Sequence, residues 1–190
     1  MTTAGILLAA GLSRRFGVAD KLVAPLRGRP LVTHAAATLR TLAPEMLIAV
    51  TSNEIVAAEL DGFVITQPDE ATASQSASLR AGITLAGERG AQRALVMLGD
   101  MPGVTVGLAK RIAQRCTDRS PAAASDGRSP KPPACFPAAC FSALLDVQGD
   151  QGARALLRSL PTDNLIFAEP GELRDIDTLH DLEEAERYCG

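Results

Sequence analysis

Aromatic side chains are nearly missing from this sequence, which holds no Trp, one Tyr and five Phe among 190 residues. With 46% of the residues apolar, the core is left to Ala, Leu, Val and Ile, a set that suits buried parallel strands under close-packed helices. Histidine is scarce as well (His34 and His180), and the four cysteines, Cys116, Cys135, Cys140 and Cys189, include no Cys-x2-Cys pair. That spacing excludes the common zinc constellations and leaves the cysteines as reduced thiols. The apolar run Gly5 to Leu12 has only eight residues, and arginines follow rather than precede it. Such a run fits neither a membrane span nor a signal peptide. Excess charge is lacking too: a net charge of −3 offers no general attraction to nucleic acid or an anionic membrane, so any phosphate binding must be local. The expectation is a cytoplasmic protein with no nucleic-acid or membrane partner, long enough for one domain with a real core.

Strand-like runs and helical periodicities alternate along the chain, the pattern of an α/β fold with crossover helices. Ile6 to Ala9 reads as a first strand. Pro30 sits in the first turn of a helix to about Leu42, which Pro44 helps to end. Met46 to Val50 and Phe63 to Thr66 read as strands, with a short helix between them capped by Asn53 and reaching Leu60. Leu79, Gly82, Ile83 and Ala86 recur at helical spacing. Ala94 to Leu98 is the most strand-like run, and Leu108 and Ile112 share a face of the helix after it. From Ser120 to Pro137, five prolines and Gly127 predict a loop or an irregular hairpin. A helix over Ala153 to Leu160, a strand near Leu165 to Phe167 and a helix after Asp177 complete the pattern. The composition break near residue 120 divides the single domain 1–190 into a first part (about 1–119) and an appended part (about 120–190).

Three places carry candidate chemistry. After the first strand, Gly11 and Gly17 allow a turn whose backbone N–H groups can surround phosphate oxygens. Arg14, Arg15 and Lys21 add charge suited to a triphosphate. Val18 after Gly17 rules out the Walker loop, and the spacing is not Gly-x-Gly-x-x-Gly; a solvated basic loop is the plain alternative. Asp100 directly follows a strand, where ligands of open α/β sheets bind, and a carboxylate there can hold Mg²⁺. An aspartate that merely shapes a turn is the alternative. Asp175 and Asp177 follow a strand-like stretch, and alternation puts both on one face. Asp175 is favoured as a second Mg²⁺ ligand, and Asp177 as the cap of the last helix or a helper.

The run Leu8-Ala9-Ala10-Gly11-x-Ser13-x-Arg15-x-Gly17, with Lys21-Leu22 and Leu26-x-Gly28-x-Pro30-Leu31, resembles the opening signature of the MobA/MocA-like nucleotidyltransferases. Gly99-Asp100-Met101-Pro102 resembles that family's metal-binding turn. Gly149-Asp150-x-Gly152-Ala153-Arg154 and Asp175-Ile176-Asp177-Thr178 resemble its two late motifs, in order. The resemblance covers almost the whole chain. It implies a three-layer Rossmann-like α/β fold, with a mostly parallel central sheet and helices on both faces. The first part is then the nucleotide-binding part, and the second lies on the acceptor side. Leu8, Ala9, Ala10, Gly11, Ser13, Arg14, Lys21, Ser78 and Gly99 are implied to meet the nucleotide. Arg15, Lys21 and Asp100 are implied in catalysis, Asp100 and Asp175 in holding Mg²⁺, and Asp150, Arg154 and Asp177 in holding the acceptor.

Ala9-Ala10-Gly11 is similar to the branch of the family that is a cytidylyltransferase acting on molybdopterin. The guanylyltransferase branch carries a second glycine in place of Ala10, and a methyl there narrows the space beside the base. The implied reaction is attack by the molybdopterin phosphate on the α-phosphorus of CTP, with pyrophosphate leaving. The implied recipient is a molybdenum hydroxylase or its chaperone. Ser74 to Gly82 resembles the family segment against base and ribose, with Ser78 as polar contact; a serine-capped helix start is the alternative. For Arg154 the alternative is a solvated helix arginine. Two departures stand out: Lys131-Pro132-Pro133 lacks the glycine of the family's Gly-x-Pro step, and Phe16 replaces the commoner methionine. The first bears on acceptor recognition. Two other functions stay open: the same chemistry with GTP, another NTP or another phosphate acceptor, and a non-catalytic nucleotide- or cofactor-binding maturation protein.

Overall fold

A run such as Ala94-Leu-Val-Met-Leu98 has no polar position to leave facing water, so it folds as a strand covered on both faces. In the computed structural model, which describes residues 1–11, 16, 20–68, 74–147 and 153–188, such runs become the middle of one sheet. The first half contains β1 (Thr3–Leu8), β2 (Pro25–Leu26), β3 (Arg29–Pro30), α1 (Leu31–Leu42), β4 (Met46–Val50), α2 (Glu54–Ala58), β5 (Val64–Thr66) and α3 (Gln75–Glu88). The second half contains β6 (Arg93–Leu98), α4 (Val106–Arg115), β7 (Ala122–Ser125), β8 (Pro130–Pro137), α5 (Phe141–Leu145), α6 (Arg154–Arg158), β9 (Leu165–Phe167) and α7 (Leu179–Tyr188). Seven strands form a sheet in the order β5-β4-β1-β6-β8-β7-β9, and β2 pairs with β3 separately. Within the large sheet β8 is antiparallel to both neighbours, and the other pairings are parallel. The fold class expected from the sequence is thus the observed one.

Period-two alternation divides the core between the two faces. Leu7, Leu95 and Met97 point to the side of α1 and α4, where Leu31, Leu39, Leu108 and Ile112 are fully buried. Ala4, Ile6, Ala94 and Val96 point to the side of α3, α5 and α6, against Leu79, Ile83 and Leu144. The helices start where capping side chains permit: Asn53 accepts from the Ile55 N–H, Ser74 from Ala77 and Thr105 from Leu108.

The proline-rich segment resolves into the irregular hairpin, and its place is inside the sheet rather than beside it. The part of β8 paired on both sides is Ala134 and Cys135, opposite Val96 and Leu95 of β6 and Ala123 and Ala122 of β7. Pro130, Pro132, Pro133 and Pro137 flank that doubly paired part, where a missing N–H costs least. A register shift between Ala123 and Ala124 absorbs the mismatch with β7. Two expectations need correction. The helix over residues 153–160 is only the five-residue α6, and no strand precedes Asp175: residues 168–178 carry turns and irregular backbone.

Gly82 lets α3 lie directly on the sheet. A Cβ there would sit 2.7 Å from the Ile6 Cγ2 and 3.1 Å from the Val50 Cγ2, both branched strand side chains with little freedom to turn. Gly82→Ala is therefore expected to destabilise the fold despite the better helix propensity of alanine, by about 1 kcal/mol net. Urea unfolding should show a lower midpoint at unchanged slope.

Candidate active site

Three parallel strands end side by side and put their following turns at one edge of the sheet. The Ala9 N–H donates to the Val50 carbonyl and the Gly99 N–H to the Leu8 carbonyl, each at 2.9 Å, which aligns the exits of β1, β4 and β6. Gly99 has little room for a side chain, since a Cβ would lie 3.2 Å from the Val32 Cγ2. The turn it opens therefore stays close to the sheet and presents Asp100.

Lys21 comes from the other side. It begins a short 3-10 turn, Lys21–Val23, whose cap Asp20 accepts from the Leu22 N–H at 3.0 Å. The other Asp20 oxygen accepts from the Asn53 side-chain amide at 2.7 Å, while the Asn53 Oδ1 caps α2. Asn53 thus ties the chain entering Lys21 to the exit of β4. The Lys21 ammonium donates to Asp100 Oδ2 at 2.7 Å and to Asp177 Oδ1 at 2.8 Å. Its side chain is 8% exposed, against 23% for Asp100 and 45% for Asp177. Burial alone would lower the Lys21 pKa, but the charges and hydrogen bonds of Asp100 and then Asp177 outweigh it and hold it above 10.5. A raised value means the ion pairs contribute fully at neutral pH and are lost only as pH climbs past the folded-state pKa.

Asp177 reaches this point because the segment after residue 168 is latched to the turn between β6 and α4. The Ile176 N–H donates to the Asp100 carbonyl at 2.9 Å. The buried Glu172 carboxylate accepts from the Thr105 hydroxyl and, at 2.8 Å, from the Glu169 N–H. Gly103 packs against Gly171 so closely that a Cβ would come within 2.6 Å of its carbonyl oxygen. Asp177 does not cap the last helix: Thr178 does, accepting from the Asp181 N–H at 3.1 Å while Asp181 accepts from the Thr178 N–H at 2.8 Å. The Asp177 carboxylate is left to meet Lys21.

The structure therefore brings Lys21, Asp100 and Asp177 together and places Asp175 elsewhere. Asp175 is exposed and lines an adjoining cleft of about 330 Å³, together with Leu8, Met101 and Arg154. The alternation that put Asp175 and Asp177 on one face fails because no strand forms there. Leu8, Ala9, Ala10 and Gly11 leave the end of β1 as expected; Ala9 is buried, Ala10 half-buried and Gly11 exposed. Ser78 is buried and donates to the Ser74 carbonyl at 3.3 Å, and Gln75 rather than Ser78 lines the cleft. Ser13, Arg14, Arg15 and Asp150 lie outside the described residues.

Sequence reasoning missed Asn53 as a link to Asp20, although it identified the cap. It also missed Lys131 and Arg158, which line the cleft with Arg154. The signal for Lys131 was its departure from the Gly-x-Pro step. Its ammonium pairs with Asp126 at 2.8 Å, and Lys131 with the Ser129 and Arg128 N–H groups holds the Asp126 carboxyl well below the usual range. Three cations against two carboxylates, Asp175 on the lining and Asp126 on Lys131, leave the cleft net positive among the described residues, suited to an anionic molecule. Chemically, the Asp100–Asp177 pair is a set of hard oxygen donors. Among the described residues no group of three or more His, Cys, Asp or Glu side chains is placed to hold a metal. Two carboxylates fit a cation that keeps water and takes further oxygens from a phosphate.

Residues 5–165 match the family model of the MobA-like NTP transferase domain. The chain belongs to that family. The purine catabolism protein PucB of Bacillus subtilis is 30% identical over 188 residues, covering 92% of this chain and 91% of that protein. Rv0371c of Mycobacterium tuberculosis has the same fold, with a TM-score of 0.82 at 25% identity over 98% of this chain and 97% of that one. It is also known as a complex with manganese, 23% identical over 99% of this chain and all of that one, at a TM-score of 0.82. The molybdopterin-guanine dinucleotide biosynthesis protein A of Archaeoglobus fulgidus shares the fold at a TM-score of 0.67 and 18% identity, over 98% of both chains. For this NTP transferase no helix among the described residues is long and apolar enough to cross a membrane.

Thr105 both caps α4 and donates to Glu172, so Thr105→Ala removes a helix cap and leaves a buried carboxylate short of a donor. The expected loss is about 2 kcal/mol, with Thr105→Ser retaining most of the stability. Urea unfolding of the two variants checks this.

Proposed function

We propose that this NTP transferase moves CMP from CTP to the terminal phosphate of molybdopterin, releasing pyrophosphate, with Mg²⁺ as its metal. The observation that carries the reading is the meeting of Lys21 with Asp100 and Asp177 beside a net-positive cleft, at the carboxyl edge of the parallel strands. The family supports the reaction class. A manganese complex of a protein with this fold agrees with a divalent cation on Asp100 and Asp177, and a neighbour named for molybdopterin-guanine dinucleotide biosynthesis agrees with the acceptor.

In this reading the backbone N–H groups after β1, with Ser13, Arg14 and Arg15, receive the triphosphate, and Lys21 neutralises charge on it. Asp100 holds the metal, and Asp177, rather than Asp175, is the second carboxylate. When bound, the cation supplies Lewis-acid stabilisation to the phosphate oxygens. The acceptor phosphate is already ionised at neutral pH, so no side-chain base is required. Catalysis comes from alignment of the two phosphates and from fixed positive charge where charge builds up. Arg154, Lys131 and Arg158 face the acceptor in the cleft, with Asp175 orienting it, and Asp150 is assigned to the acceptor by its motif. Ala10 stands beside the base, where its methyl favours a pyrimidine.

Pyrophosphate release from CTP, GTP, ATP and UTP, each with and without molybdopterin and Mg²⁺, tests the proposal. Release from CTP that depends on molybdopterin is expected. Release from GTP instead reassigns the base, and none with any nucleotide rejects the enzyme reading. Asp100→Asn is expected to lower turnover by at least about 100-fold, with the far-ultraviolet circular dichroism unchanged. Ala10→Gly is expected to raise kcat/KM for GTP relative to CTP by about ten-fold; an unchanged ratio removes Ala10 from base selection.

A further inference from the structure

We propose that the Lys21 ammonium is a placeholder for the metal. It holds Asp100 and Asp177 in position until a triphosphate draws it away, so metal and nucleotide bind to this protein cooperatively. The proposal rests on the NTP-transferase reading of the site and adds the order in which its charges are exchanged.

Asp100 and Asp177 lie 77 positions apart in the sequence and belong to different turns, yet both accept from one nitrogen, at 2.7 and 2.8 Å. Two carboxylates converging in a half-buried site repel each other unless a cation stands between them. Lys21 supplies that cation in this structure. A divalent cation placed on the same oxygens would face the ammonium at a distance where like charges repel strongly in partly buried surroundings. Metal binding therefore requires Lys21 to move.

Lys21 cannot simply retreat into water. Its backbone is fixed by the 3-10 turn, which Asp20 caps and Asn53 anchors, and its side chain is 8% exposed. What it can do is swing its flexible stem toward a new anion within reach. The end of β1 lies at this same edge of the sheet, and a Cβ on Gly11 just after it would meet no described atom within 4 Å. A triphosphate bound there carries more negative charge than the two carboxylates and offers the ammonium new acceptors. Lys21 then changes partners, and the vacated oxygens turn to the metal. By linkage the effect is reciprocal: the metal strengthens nucleotide binding by the factor with which nucleotide strengthens metal binding.

The test uses Mn²⁺ alone, with free Mn²⁺ followed by electron paramagnetic resonance in the absence of nucleotide. Wild-type protein is expected to bind weakly. Lys21→Met and Lys21→Gln are expected to bind at least about ten-fold more tightly, and Lys21→Arg, which keeps the charge, to stay weak. Equal or weaker binding by both neutral variants overturns the proposal. Should neither neutral variant fold, the wild-type protein decides it. Its Mn²⁺ affinity at saturating CTP, corrected for the Mn–CTP complex in solution, is expected to rise about ten-fold, and no rise overturns the proposal. Pyrophosphate release by wild-type protein is followed in parallel. Release without coupling rejects the placeholder and leaves the NTP-transferase reading standing, whereas absence of both release and Mn²⁺ binding rejects the two together.

Discussion

A nearly buried ammonium with two carboxylate partners governs how this molecule is arranged. Lys21 meets Asp100 across 79 residues of sequence and Asp177 across 156. Such a charge is costly to remove from water unless its partners are held in place. The holding is done by hydrogen bonds from the surrounding elements. Asn53 fixes the turn that carries Lys21, the aligned strand ends fix the turn that carries Asp100, and the Ile176 and Glu172 hydrogen bonds fix the segment that carries Asp177. Each support draws on a different element, so the site is a property of the whole domain rather than of any one motif.

The sheet explains why chemistry collects at that edge. Parallel strands exit on the same side, so the turns after β1, β4 and β6 are neighbours whatever their sequence separation. The core beneath them is mostly small and branched aliphatic side chains, with a few Phe and Met, which lets helices approach closely; Gly82 is the extreme case. A stiff base of this kind keeps the turns in register, and positional precision is what phosphoryl-type transfer asks of a protein.

The second part of the chain completes the sheet and the site together. β8 inserts antiparallel beside β6, carrying Lys131 to the cleft, and α6 adds Arg154 and Arg158. The net-positive lining thus comes from elements that follow the composition break, while Asp100 and Lys21 precede it. This division agrees with a nucleotide held by the first part and an acceptor held by the second, as proposed for molybdopterin.

Much of this was legible without coordinates. The apolar runs determined the strands, because a segment with no polar position must be covered on both faces. A side-chain cap marked the helix start at Asn53, because unpaired N–H groups need an acceptor nearby. The motif resemblance identified the family and singled out Lys21 and Asp100. Local rules failed where the backbone was irregular. Strand alternation puts Asp175 and Asp177 on one face, yet no strand forms there. The reading of Asp177 as helix cap or helper, which favours Asp175 as the ligand, gives way because Thr178 is the cap. Tertiary structure alone decided which acid faces Lys21, because a hydrogen bond from Ile176 to Asp100 and the latch between Glu172 and Thr105 set the path of the segment, and neither contact leaves a periodic trace in the sequence.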